Sequence, residues 1–160
     1  MSYSKLGDVA VAQGKLDEAA RAYGDALAIG KKLAAGDPGN TEWQRDRSVS
    51  YSKLGNVAVA QGKLDAAARA YGDGLAIGKK LAAGDPGNTQ WQRDRFYSLF
   101  QISRLDAEQK HWSDAIGNAE ASLKIAERLS QLDRSSVWRD ASALPIASGQ
   151  CFCSASSLEI

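Results

Sequence analysis

The amino-acid sequence predicts an all-α fold, an α-solenoid of stacked antiparallel helix pairs, and three observations carry that prediction. A block of the chain recurs almost unchanged at a fixed spacing, apolar residues inside each copy fall at helical intervals, and the same helix-ending turns reappear. Ser2 to Arg47 and Ser50 to Arg95 differ at only four aligned pairs, Asp8/Asn56, Glu18/Ala66, Ala26/Gly74 and Glu42/Gln90. Tyr3, Pro38 and Trp43 return as Tyr51, Pro86 and Trp91, each 48 residues on (51 − 3, 86 − 38 and 91 − 43). A third, diverged copy keeps the frame, with Ile102 for Leu54, Gln109 for Gln61, Ala115 for Ala67, and Leu123 and Ile125 for Leu75 and Ile77. It dissolves after Asp133, and Trp138 opens what reads as part of a fourth copy.

The elements follow in order. Helices are expected near residues 2–13, 16–35, 41–61, 64–83, 89–109, 113–131 and 136–144. In the second of these Leu16, Ala19, Ala20, Tyr23, Leu27, Gly30, Leu33 and Ala34 share one stripe, the pattern of an amphipathic helix. It stops at Gly36-Asp37-Pro38-Gly39-Asn40, where glycine supplies positive φ and proline cannot continue a helix, and Gly84 to Asn88 repeats the stop. The next helix opens at Thr41, whose hydroxyl is expected to cap it with Gln44 reaching back, a spacing repeated by Thr89 and Gln92. The turn Gln61-Gly62-Lys63 then leads into Leu64. One such hairpin cannot bury its own apolar face, so neighbouring units must stack. The expected organisation is a repeat array over 1–144, with units about 1–38, 41–86 and 89–133 and a partial helix 136–144, then an irregular tail 145–160.

Leu6-Gly7, Ala19, Tyr23 and Ala26 occupy the spacing of the tetratricopeptide signature, and Leu54-Gly55, Ala67 and Tyr71 repeat it. The chain therefore resembles tetratricopeptide repeats over about residues 2–131, in a lengthened form similar to the kinesin-light-chain-type repeats of bacterial proteins. The resemblance implies a right-handed superhelix of about three units that binds proteins or peptides and carries no cofactor. The chain departs from the signature in three ways. The helix-ending proline is displaced to Pro38 and Pro86, Gly74 replaces the last signature alanine, and Ser103 and Ala119 stand in the third unit where glycine and tyrosine would be.

Composition narrows the function classes. Twenty Lys and Arg against 19 Asp and Glu leave a formal net charge of +1 over 160 residues, so no whole-domain field favours nucleic acid or an anionic membrane surface. No run of about 18 apolar residues suggests a membrane span, and the opening residues do not form a signal peptide, which makes a cytoplasmic protein the default. Cys151 and Cys153 lie far from the single histidine, His111, so neither a disulfide framework nor a metal site is expected. Gly30-Lys31-Lys32 and Gly78-Lys79-Lys80 lack the glycine spacing and the hydroxyl of a phosphate loop. His111 has no nucleophile or carboxylate constellation beside it, and the chain is not expected to be an enzyme. Arg45-Asp46-Arg47, repeated as Arg93-Asp94-Arg95, reads as a solvated face or as contacts between repeats.

The tetratricopeptide resemblance implies that the first helix of each pair lines a concave groove. The candidate peptide-binding residues on that face are Asp8, Ser52, Lys53, Asn56, Tyr97, Phe100 and Arg104. Asn56 falls where the family's peptide-holding asparagine often sits, but Ser52, Tyr97 and Gln101 replace the rest of the family's carboxylate clamp. Tyr97, Phe100 and Arg104 combine aromatic area with a planar cation, residue types that dominate many interfaces. The competing reading makes Tyr97 and Phe100 core residues of a terminal unit. Neither end carries a recognisable polar capping unit, so the expectation is a piece of a longer array, or a homo-oligomer formed through uncapped ends, attached in full length to an effector domain.

Overall fold

The computed structural model describes residues 2–132, and in them six helices follow one another through short connections. They are α1 (Tyr3–Ala12), α2 (Leu16–Gly36), α3 (Thr41–Ala60), α4 (Leu64–Gly84), α5 (Thr89–Glu108) and α6 (Trp112–Leu132). All lie within one residue of the boundaries expected from the sequence. The expected helix at 136–144 and the tail 145–160 fall outside the described residues. No strand occurs among the described residues. Each helix packs chiefly against its neighbours in sequence, the arrangement of an α-solenoid of helical hairpins.

The tight turns inside each pair share one construction. After α1, the Lys15 amide donates to the Ala10 carbonyl at 2.9 Å and the Gly14 amide to Val11 at 2.9 Å, the paired bonds of a Schellman motif. After α3 the same bonds run from Lys63 to Ala58 and from Gly62 to Val59, and after α5 from His111 to Asp106 and from Lys110 to Ala107. The motif needs a left-handed residue. Gly14 and Gly62 supply it at φ 72°, whereas the third turn bends through Lys110 at φ 64°.

The longer turns between pairs correct one expectation. The N-cap of α3 is Asn40, not Thr41: its side-chain oxygen accepts the Trp43 amide at 3.1 Å, and Asn88 does the same for Trp91 at 3.1 Å. Asparagine caps from an extended backbone, here φ −73° and ψ 102°, and this moves the whole capping frame back by one residue. Gln44 does reach back, but to the Pro38 carbonyl at 3.3 Å, and Gln92 likewise reaches Pro86 at 3.4 Å.

The core runs through the pairs and continues across the boundaries between units. Ala10, Ala19 and Tyr23 of the first pair close on Val57 and Leu54 of the second. Ala67 and Tyr71 of the second pair close on Leu105 and Ile102 of the third. Further along, Leu75 packs with Leu99, Ile125 and Leu129. Within each of the first two pairs the tyrosine ring lies flat against a glycine, so that a β-carbon on Gly55 would sit 2.6 Å from Tyr71 Cδ1. The third pair exchanges both partners: Ala119 and Ser103 stand at the positions of the tyrosine and the glycine, both buried. The tyrosine's absence and the serine's presence are one compensated change.

Leu33, expected on the buried stripe, is 42% exposed, although its copy Leu81 is 8% exposed. The difference comes from helix length. α1 has 10 residues where α3 has 20, so the C-terminal half of α2 lacks the partner that α3 offers α4.

Candidate functional site

Helices α1, α3 and α5, the first of each pair, form one face of the stack, and side chains join them across the unit boundaries. Between α1 and α3, Lys53 Nζ donates to Asp8 Oδ1 at 2.6 Å and to Ser4 Oγ at 2.9 Å, and it stands 5.2 Å from the centroid of the Tyr23 ring. The Tyr23 hydroxyl donates to the same Asp8 oxygen at 2.7 Å. Lys53 first, and Tyr23 second, hold the Asp8 carboxyl below the usual carboxylate range. Burial, reinforced by that carboxylate, pushes the Tyr23 hydroxyl well up.

The same positions one unit on make a neutral version. The Tyr71 hydroxyl donates to Asn56 Oδ1 at 2.7 Å, and Gln101 Nε2 donates to that oxygen at 2.9 Å. Asn56 Nδ2 donates to the Tyr97 hydroxyl at 2.8 Å, which also accepts from Gln101 at 2.9 Å. Burial pushes the Tyr71 hydroxyl up to about 12. Nearer the start of these helices Arg45 spans to Asp94 with two bonds, Nε to Oδ2 at 2.6 Å and a terminal nitrogen to Oδ1 at 3.3 Å. That fork-to-fork geometry fixes α3 against α5.

The seven candidate residues are therefore brought together unequally. Ser52, Lys53, Asn56 and Tyr97 line one groove of about 290 Å³ between α3 and α5, beside the Arg45–Asp94 pair. Asn56 and Arg104 line a second hollow of about 190 Å³ with Gln101 and Glu108. Asp8 lies one interface away, and Ser52 is buried with its hydroxyl donating to the Ser48 carbonyl at 3.2 Å. Asp8 (through Oδ1), Lys53 and Asn56 already make hydrogen bonds within the stack. Tyr97 is 39% exposed. Phe100 is half-buried and stacks on Phe96, centroids 6.1 Å apart and planes 6° from parallel. The exposed Arg104 guanidinium lies 5.9 Å from the Phe100 ring centroid. These three side chains span about two turns of α5.

The Arg45–Asp94 pair realises the contacts between repeats that were one of the two readings of those charge motifs, and sequence reasoning did not find the second feature, the two tyrosine hydroxyls. The signal for the second was present in the aligned copies, where Asp8/Asn56 and Lys53/Gln101 change together. An apolar hollow of about 290 Å³ lined by Pro38, Ile77, Leu81 and Trp91 sits by the longer turns and contains none of the seven residues. Among the described residues no group of three or more His, Cys, Asp or Glu side chains could hold a metal ion, and no helix is long and apolar enough to cross a membrane. Compared with known proteins, residues 1–37 match a family model described as tetratricopeptide repeat. No curated protein matches the chain.

Proposed function

We propose, from the match of residues 1–37 to a tetratricopeptide-repeat family model and the near-unchanged recurrence of residues 2–47 at 50–95, that the chain is built of such repeats, in general protein–protein interaction modules, and binds a peptide or a segment of a partner protein along the face of its first helices. The observation that carries this reading is the composition of the free surface on α5. Most polar side chains on that face hold neighbouring units together, while Tyr97 and Arg104 keep exposed surface beside the groove, with Phe100 beneath the guanidinium. Aromatic area and a planar cation beside a groove are residue types that anchor interfaces. Lys53 and Asn56 then shape the groove floor and hold the two units at a fixed spacing, and Ser52 supports it from below. In this reading Asp8 acts through Lys53, and the chain has no catalytic role of its own and works as a scaffold.

Affinity capture from native lysate, followed by mass spectrometry, tests the proposal. The wild-type chain and the variants Tyr97→Ala and Arg104→Glu would be compared at matched helicity by circular dichroism. Loss of the same captured proteins by both variants is the expected result. An unchanged set of captured proteins rejects the groove. A second reading, association through the ends of the array inside a longer protein, draws support from the exposed Tyr3, Leu6 and Val9 on α1.

A further inference from the structure

The apolar hollow beside the longer turns lies between the second and third units, walled by the start of α3, the end of α4 and the start of α5. Pro38, Ile77, Leu81 and Trp91 give it an apolar interior of about 290 Å³. An apolar cavity of ~150 Å³ is enough for benzene, so this one has room for a phenyl or indole side chain. Thr41 and Trp91 also wall a second hollow, of about 470 Å³, whose further lining is polar and includes Glu42 and Asp46. Charge distinguishes the two. Glu42 and Asp46 are exposed and stand one turn apart on α3, and among the described residues neither carboxylate enters an ion pair or a hydrogen bond. Arg45, between them in sequence, is taken by Asp94 at 2.6 Å. Lys80 and Asp85 line the apolar hollow with opposite charges, so the acidic excess stays at the second one.

We infer that the two hollows together form a binding site, separate from the first-helix groove, for a segment of a partner protein in which a large apolar side chain stands next to a lysine or arginine. The apolar side chain enters among Ile77, Leu81 and Trp91. Its basic neighbour pairs with Glu42 and Asp46, beside Trp91, whose ring face also attracts cations. The charges fix the direction of the segment: a basic group turned the other way meets Lys80, and an acidic group in its place is repelled by the two carboxylates. Glu42 is one of the four positions at which the first two copies differ, and its copy Gln90 is neutral, so a helix starts in this frame without the acid.

The test titrates the isotope-labelled full chain with end-blocked hexapeptides that carry Phe-Arg, Phe-Glu or Ala-Arg between glycine and serine flanks. The indole N–H resonance of Trp91, identified by its loss in Trp91→Phe, reports on the hollow. It is expected to move with Phe-Arg and to stay still with the other two. Glu42→Gln with Asp46→Asn is expected to weaken Phe-Arg binding roughly tenfold, whereas Tyr97→Ala and Arg104→Glu, which address the first-helix groove, leave it unchanged. Ile77→Trp fills the hollow and abolishes the shift. If that variant loses its helical circular dichroism, the exposed carboxylate pair decides alone. A Trp91 resonance that answers equally to Phe-Arg and Phe-Glu, or to neither, overturns the proposal. So does tighter binding by Trp138→Ala, which would make the chain's own aromatic–basic pair, Trp138-Arg139, the occupant.

Discussion

The first and second interfaces of the stack are built from nearly the same residues, yet one is ionic and the other neutral at its centre. Where the first joins Asp8 to Lys53, the second joins Asn56 to Gln101, and in both a tyrosine hydroxyl donates to the acceptor oxygen. The two changes are matched. Asp opposite Gln, or Asn opposite Lys, would leave a partly buried charge without its counter-charge. Two side chains thus give each junction its own chemistry while the packing around them stays constant, and a unit made for one junction fits the other less well.

Breaking the shared packing should have the largest effect. Gly55→Ala pushes a methyl into the Tyr71 ring and is expected to cost about 2 kcal/mol in chemical unfolding, as overpacking does. In the third pair the complementary change, Ala119→Tyr, should be comparably damaging unless Ser103→Gly accompanies it. Next in size is the mismatch: Asn56→Asp is expected to cost about 1 kcal/mol, and adding Gln101→Lys should return most of it, a coupling read from a double-mutant cycle. Tyr71→Phe removes one hydroxyl bond to Asn56 and should cost about 1 kcal/mol or less by the same measurement.

The smallest effect is one of pH. Because the folded Asp8 carboxyl titrates below its ordinary value of 3.8, its contribution is complete above that pH and disappears as pH falls further. Acid should therefore loosen α1 from α3, seen as faster amide exchange around Val57 at low pH than at neutral pH relative to the rest of the core. Asp8→Asn with Lys53→Gln should remove that difference. Alkali acts differently, since both tyrosines are raised. The Tyr71 contribution holds up to about pH 10 and is lost as pH rises through about 12, and Tyr23 follows the same direction.

Much of this architecture was legible because the copies align without gaps. The four-pair difference between the first two copies fixed the frame, and the amphipathic stripe with its glycine and proline stops fixed the helices to within a residue. The cap was not legible in the same way. Asn40 and Thr41 are both good capping residues, and only the backbone angles decide which side chain faces the free amides. Nor was the fate of Leu33, since burial depends on the length of the helix opposite rather than on the residue itself. At the candidate groove the residue types were readable, but their prior engagement was not. Asn56 reads as a free amide in the sequence, while in the fold Tyr71, Tyr97 and Gln101 occupy it.

The third tight turn carries a further consequence. With Lys110 held in the conformation that glycine adopts in the other two, the hinge between α5 and α6 stores about 1 kcal/mol that the earlier hinges do not. Under denaturant or force the array should therefore unzip from that hairpin toward α1, and Lys110→Gly should make the three joints give way more nearly together.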